Sequence, residues 1–402
     1  MQRIIVLGAG FAGLWAAAAA ARALDARGIA PSEVGVTMVN ATPWHSIRVR
    51  NYEADLSDTR VALADVLEPI GVETRVADVT DIRVADRAVV CAVQGRTETL
   101  GYDRLVFALG SRLVWPGIPG LRDYAFDVDT YDSAMRLGAH LTGLRAKPQG
   151  AARDTVLVIG AGLTGIEAAA EMPARLRAAT GGTPRVILAD RAAIGSDMGN
   201  DAIGIIVPAL ASLGIECRPD TRVTSIGASG AVLATGEHIE AETIVWCAGM
   251  EASPLTACFP VARDRAGRVP VRPTLQIDGL AAEFAAGDAA CFAIDGTHEC
   301  VMSCQHGRPM GRFAGHNAVC DLLGDPMLPL RIDWYTTILD LGPWGAVYTE
   351  GRSRRVVAQR AAAKRTKEII NRQRIYPPRS RDRAEILAAA APVVQAPPTY
   401  VG

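Results

Sequence analysis

Two glycine-rich turns mark where this chain can hold phosphate. They are Gly8-Ala9-Gly10-Phe11-Ala12-Gly13 and Gly160-Ala161-Gly162-Leu163-Thr164-Gly165. In such a turn the first glycine makes the tight bend from strand to helix. The second lets backbone approach a pyrophosphate, and the third lets the helix pack close to its strand. The free N–H groups and positive end of the helix then hold the phosphates. Two turns predict two bound dinucleotides, and two dinucleotides in one chain predict electrons moving between them. The ribose should be read by a polar residue ending the next strand. In the second unit that residue is Asp190. A carboxylate there favours a free 2′-hydroxyl and repels a 2′-phosphate, so NADH is expected. Arg191 next door leaves NADPH open. The first unit has Asn40 at this place, a weaker contact whose amide still donates and accepts.

These turns need strands and helices around them, and the sequence supplies both. Ile4-Ile5-Val6-Leu7 and Val156-Leu157-Val158-Ile159 precede the turns, and alanine-rich helical stretches follow. The first unit reads as strand 3–7, helix about 12–27 and strand Val36–Val39. The second reads as strand 155–159, helix about 164–178 and strand Arg185–Ala189. A further pair repeats: Tyr102–Ser111, with Ala108 and Gly110, and Thr243–Gly249. Both are apolar strands ending in small-residue turns. The expected fold is α/β, with two Rossmann-like dinucleotide-binding domains. Pro116 and Pro119 mark a crossing between them, and Gly267–Val271 a crossing back. Beyond about 331, Trp334, Tyr335, Trp344 and Tyr348 with interspersed glycines predict short strands. Residues 352–383 carry twelve Arg or Lys against Glu368 and Asp382. That run reads either as a solvated helical face or as an attraction for an anionic surface or partner. The proline-punctuated end is expected to fray.

The bulk properties exclude several classes. A net charge of −1 gives no general pull on nucleic acid. No uncharged apolar run approaches the ~20 residues of a membrane-spanning helix. The N-terminal residues read as a strand, without the basic stretch or cleavage site of a signal peptide, so none is expected there. The eight cysteines are scattered without a C-x-x-C pair, which fits buried thiols in a reducing compartment. Cys300 and Cys304 read as one helical turn apart with His306 close by, but a fourth ligand is lacking and no metal is expected.

Phe284-Ala285-Ala286-Gly287-Asp288-Ala289-Ala290 extends the pattern. With the two glycine turns, it resembles the pyridine nucleotide–disulfide oxidoreductase superfamily of flavoproteins. The resemblance implies that Asp288, preceded by Gly287, binds the ribityl chain of FAD. It assigns the first turn to FAD and the second to the nicotinamide cofactor. It also implies an FAD domain split into 1–115 and 265–330, an NAD(H) domain at 116–264 inserted between, and a C-terminal region at 331–402. Disulfide reductases and sulfide–quinone reductases carry cysteines where this chain has none, before 91 and from 92 to 216.

The sequence is more similar to the type II NADH dehydrogenases. Gly162-Leu163-Thr164-Gly165-Ile166-Glu167 looks like that family's Thr-Gly-x-Glu signature, with Glu171 one turn on. This implies that Glu167 lies where the nicotinamide and flavin rings meet. The plainer role is a carboxylate favoured by the helix dipole. Gln305-His306-Gly307 stands where the family has Gln-Gln-Gly, which implies that Gln305 lies near the acceptor. Val301 and Cys300 depart from the family pattern just before it. A helical His306 is more often a satisfied polar residue than a catalyst. Trp44 and His45 fall where the family loop runs along the flavin. Gly249 falls at the end of the second repeated strand.

The implied activity passes a hydride from NADH to FAD and electrons onward, to a quinone by resemblance. One alternative is a ferredoxin or rubredoxin reductase, its Arg-rich tail docking an acidic carrier protein. Another is a redox-sensing binding protein resembling apoptosis-inducing factors. Residues 379–402 are poor in bulky apolar side chains for an amphipathic anchor. A cytoplasmic protein is therefore expected, at most loosely membrane-associated, and a homodimer is compatible with all three readings.

Overall fold

The structure, a computed structural model, describes residues 1–398. The first unit contains β1 (Gln2–Leu7), α1 (Phe11–Asp25), β2 (Val34–Asn40), β3 (Glu73–Val76) and β4 (Arg104–Phe107). The second contains β5 (Thr155–Ile159), α2 (Leu163–Thr180), β6 (Arg185–Ala189), β7 (Ile215–Arg218) and β8 (Thr243–Trp246). Strand β9 (Glu283–Ala285) then returns to the first sheet, whose order becomes β9-β4-β1-β2-β3. The second sheet has the order β7-β6-β5-β8. Both are parallel throughout. Parallel strands are covered on both faces, so their apolar runs are continuous rather than alternating. Ile4, Ile5, Val6 and Leu7 are wholly buried, and so are Val156, Leu157 and Val158. The registers match: Val6 lies between Met38 and Val106, and Val158 between Leu188 and Val245. Between the sheets the chain leaves and returns along two paired segments, Ser111–Leu113 antiparallel to Met250–Ala252.

Helix α3 (Cys304–Leu323) lies against α1 at a distance that only small residues allow. A Cβ on Gly311 would stand 2.0 Å from the Ala12 carbonyl oxygen, and one on Gly315 1.9 Å from that of Ala16. The glycines at this spacing form one face of α3. Gln305, Arg308, Pro309 and Arg312, at i, i+3, i+4 and i+7, form another. The helix begins at Cys304, so Cys300 and Val301 lie in the turn before it. The expected single helix turn joining Cys300 to Cys304 is therefore corrected. Ser303 has the extended backbone of a residue preceding a helix, and the chain enters α3 there.

The last region holds an antiparallel sheet of β10 (Thr336–Asp340), β11 (Ala346–Glu350) and β12 (Arg355–Gln359). After it come α4 (Arg360–Ile369), a π-helical turn at Ile370–Arg374, and α5 (Arg383–Ala389). Part of the basic run is tied down within the chain, while Arg355 and Arg372 remain largely exposed. Lys364 bonds Asp340 and Lys367 bonds Glu167. Arg379, Arg381 and Arg383 bridge to Asp58, Asp65 and Asp25 on the first unit. Ahead of the proline-punctuated end, Ile386 and Leu387 are buried in the first unit's core; residues 399–402 lie outside the described residues. Among the described residues, no helix is long and apolar enough to cross a membrane.

Candidate functional site

The two glycine turns close in the same way. A Cβ on Gly13 would lie 1.7 Å from the Gly8 oxygen, and one on Gly165 1.7 Å from the Gly160 oxygen. Gly8 and Gly160 have φ of +88° and +106°, which side chains rarely adopt. Gly10 and Gly162 differ: nothing stands within 4 Å of a Cβ at either. Bare backbone faces open space there, at the mouth of each helix. The strand-end residues then tie each turn down. Asn40 Oδ1 accepts the Ala9 N–H at 2.9 Å, and Asp190 Oδ2 accepts the Ala161 N–H at 2.6 Å. Asn40 thus makes the same backbone contact as its acidic counterpart.

The units converge on a cavity of about 270 Å³. Phe11, Ala12, Ala108, Gly110, Gly287 and Asp288 come from the first, and Thr164, Trp246 and Cys247 from the second. Asp288 accepts a hydrogen bond from the Ser111 hydroxyl at 2.6 Å. Burial raises its pKa against that bond and against Arg48, 3.8 Å away. Arg48 is itself paired with Asp129. His45 is fully buried behind Phe11, ring to ring at 5.2 Å, with Nδ1 2.8 Å from the Ala9 oxygen. Burial lowers its pKa to about 4.

A second cavity of about 300 Å³ adjoins the first, and Thr164, Ser303 and Cys304 line both. Its walls include Leu163 and Glu167 of α2, Gln305, Arg308 and Arg312 of α3, and Lys367 of α4. Glu167 is 7% exposed and bonded to Lys367 Nζ at 2.6 Å, and it accepts the Asp340 N–H at 3.0 Å. Burial raises the Glu167 pKa, with Lys367 opposing. Burial works against the Lys367 charge, but Glu167 outweighs it and the ammonium pKa rises. Gln305 Oε1 accepts from the Thr336 hydroxyl at 3.0 Å, while Nε2 is buried without a partner among the described residues. His306 does not line either cavity. Its Nδ1 accepts the Val301 N–H at 3.0 Å, and burial lowers its pKa to about 4. It is a neutral brace for the turn before α3.

Residues 2–311 match the family model for pyridine nucleotide-disulphide oxidoreductases. An NADH dehydrogenase-like protein of Mycobacterium tuberculosis is 53% identical over 99% of this chain and 100% of its own length. The chain belongs to the pyridine nucleotide-disulphide oxidoreductase family. A demethylphylloquinone reductase of Synechocystis is 28% identical over 86% of each chain. The structure of NDH2 from Plasmodium falciparum in complex with NADH superposes with a TM-score of 0.74 at 13% identity, covering 96% of this chain and 97% of that one. That likeness concerns the fold. The family is one of oxidoreductases, and this member is type II NADH dehydrogenase-like.

In this oxidoreductase the sequence-selected residues divide by position. Gly8, Gly13, Gly160 and Gly165 close the turns, Asn40 and Asp190 anchor them, and Gly10, Phe11, Ala12, Leu163 and Thr164 reach the cavities. Gly249, at φ +84°, packs against Val114 beside the first cavity. Glu167 and Gln305 share a wall of the second cavity. Sequence reasoning missed Lys367, Arg48, Arg308 and Arg312. Lys367 was concealed in a long basic run. Arg308 and Arg312 left one readable sign, charges set among the glycines and alanines of a buried helix. All eight cysteines are free thiols.

Proposed function

We propose that the protein is an FAD-dependent NADH oxidoreductase that delivers electrons to a quinone. The observation that carries this is the convergence of both glycine-turn units on one cavity that opens into a second, largely apolar one. The donor set fits a flavin nucleotide. Gly10 leaves a bare helix mouth for pyrophosphate, and Asp288 with Ser111 offers polar contacts for a polyol chain. Gly162 offers the same mouth for the nicotinamide dinucleotide, with Asp190 at the ribose end. The proposed division places the FAD-binding residues in 1–115 and 265–330 and the NADH-binding residues in 116–264. The bound flavin would take a hydride from NADH and pass two electrons on.

This chain's residues supply position and protons. NADH, a proton and a quinone give NAD⁺ and the quinol, so one proton must reach a buried cavity. Glu167 and Lys367 are the ionisable pair there. Lys367 also borders a smaller cavity of about 190 Å³ lined by Tyr52, Glu53, Asp340 and Lys364. That chain of groups is a route for the proton. Gln305, with its free Nε2–H, is placed to donate to an acceptor carbonyl. The relatives named for NADH dehydrogenation and demethylphylloquinone reduction support the donor and the acceptor class.

The test is anaerobic. Purified protein should be yellow, NADH should bleach it faster than NADPH, and a quinone should restore the colour. Colourless protein that takes up no added FAD would refute the proposal. Glu167→Gln should keep the colour but slow the return of the quinone-coupled cycle.

A further inference from the structure

Among the described residues, the second cavity contains more positive charge than its lining balances. Arg308 is 6% exposed and Arg312 2% exposed. Among the described residues neither guanidinium bonds a carboxylate or a carbonyl, and the Nε of each is buried without a partner. Arg374, on the π-helical turn, also lines the cavity; it donates to the Ala396 carbonyl and meets no carboxylate among the described residues. Glu167 is the one carboxylate among the described lining residues, and Lys367 already occupies it. The three arginines repel one another. Burial first and this repulsion second pull Arg312 down to about 9; burial, with Arg374 adding, pulls Arg308 to about 10.

Stacking explains only part of this. The Arg312 and Arg308 guanidiniums lie 4.2 and 5.6 Å from the Trp15 ring centroid. A cation–π contact returns much less than burying an unpaired charge costs. It also leaves the N–H forks unused, and those forks match a carboxylate in two-point fashion. The wall also carries apolar side chains, among them Trp334, Ile338, Ile370 and Ile375.

We infer that this cavity takes its acceptor as an anion: a planar quinone ring that carries a carboxylate, the ring against the apolar wall and the carboxylate at Arg308, Arg312 and Arg374. The inference rests on the acceptor-cavity reading above and narrows its substrate class.

A redox-inert pair tests it apart from catalysis. Holoenzyme loaded with FAD is titrated by calorimetry with 2-naphthoate and with 2-naphthamide, which share a ring and differ in charge. The naphthoate should bind about tenfold tighter or more. Arg308→Gln and Arg374→Gln should each erase most of that preference, and Arg308→Lys should retain part of it. Should the Arg308 variant fail to fold, half-buried Arg374, on the π-helical turn, carries the test. Equal affinity for the two ligands would overturn the inference, as would a preference untouched by both substitutions. The anaerobic bleaching by NADH reports the parent reading separately. Bleaching with no anion preference would leave an NADH oxidoreductase with a neutral acceptor. Anion preference without bleaching would leave the site and remove the flavin chemistry.

Discussion

Asp190 does two things with one carboxylate. Its oxygens accept the Ala161 and Ala192 N–H groups, which fixes the second glycine turn, and its charge faces the ribose end of the proposed NADH site. Asn40 performs the first task in the other unit without the charge. Asp190→Asn therefore separates the roles: a turn contact remains while the repulsion of a 2′-phosphate goes. The NADH-over-NADPH preference in flavin reduction should narrow by roughly tenfold, and an unchanged ratio would remove Asp190 as its source. The histidines have a pH signature. His45 and His306 have pKa values lowered from 6.5 to about 4. The unfolded chain thus binds their protons first, and stability is lost as pH falls from about 6.5 to about 4. Each contributes roughly 3 kcal/mol to that loss. Denaturant midpoints between pH 7 and 4 should fall less steeply in His306→Gln than in the parent protein. What the sequence revealed at this scale was the turn chemistry, because glycine, aspartate and asparagine act locally. The Glu167–Lys367 bond joins residues two hundred positions apart, and no local pattern announces it.

The strands and helices of the two nucleotide units were legible because their patterns are local and strong. Thr155–Ile159 and Arg185–Ala189 run as expected, and the alanine stretch after Gly13 is helical because it is packed on both sides. The start of α3 was not legible. A turn held by His306 separates Cys300 from Cys304, and their spacing alone mimics one turn of helix. The glycines also specify elements unequally, which gives a prediction. Gly13→Ala forces a methyl group into the Gly8 carbonyl, a clash that backbone must absorb. Overpacking of this kind costs about 1–3 kcal/mol or more, and the melting temperature of flavin-free protein should drop. Gly10→Ala meets nothing in the protein itself. It should leave that melting temperature unchanged and still weaken FAD uptake, because the methyl group occupies the bare helix mouth. Equal effects of the two on FAD uptake with no difference in melting would mean that the open space at Gly10 does not receive the nucleotide.

At the scale of the whole molecule, the tail closes the second cavity, and two kinds of contact hold it there. Val394, Gln395 and Pro398 supply part of the cavity wall. The preceding helix, α5, carries Arg383 bridged to Asp25, with Arg381 bridged to Asp65 just before it. It also carries Ile386, wholly buried, and Leu387, 8% exposed. Composition suggested that charge would dominate this segment. Magnitudes point the other way. Exposed ion pairs contribute about 0–1 kcal/mol each and weaken with salt. Burying a side chain such as isoleucine or leucine contributes about 1.5–3 kcal/mol. Arg383→Ala should therefore cost less than about 1 kcal/mol, and Ile386→Ala about 2–4 kcal/mol of tail docking. The consequence reaches the chemistry selectively. Releasing α5 removes a wall of the acceptor cavity but leaves both glycine turns intact. Ile386→Ala should raise KM for the quinone while anaerobic flavin reduction by NADH keeps its rate. High salt should reproduce little of this, because it screens the arginine bridges and not the buried pair. If salt alone raised the quinone KM as far as Ile386→Ala does, charge rather than apolar burial would be what keeps the cavity closed.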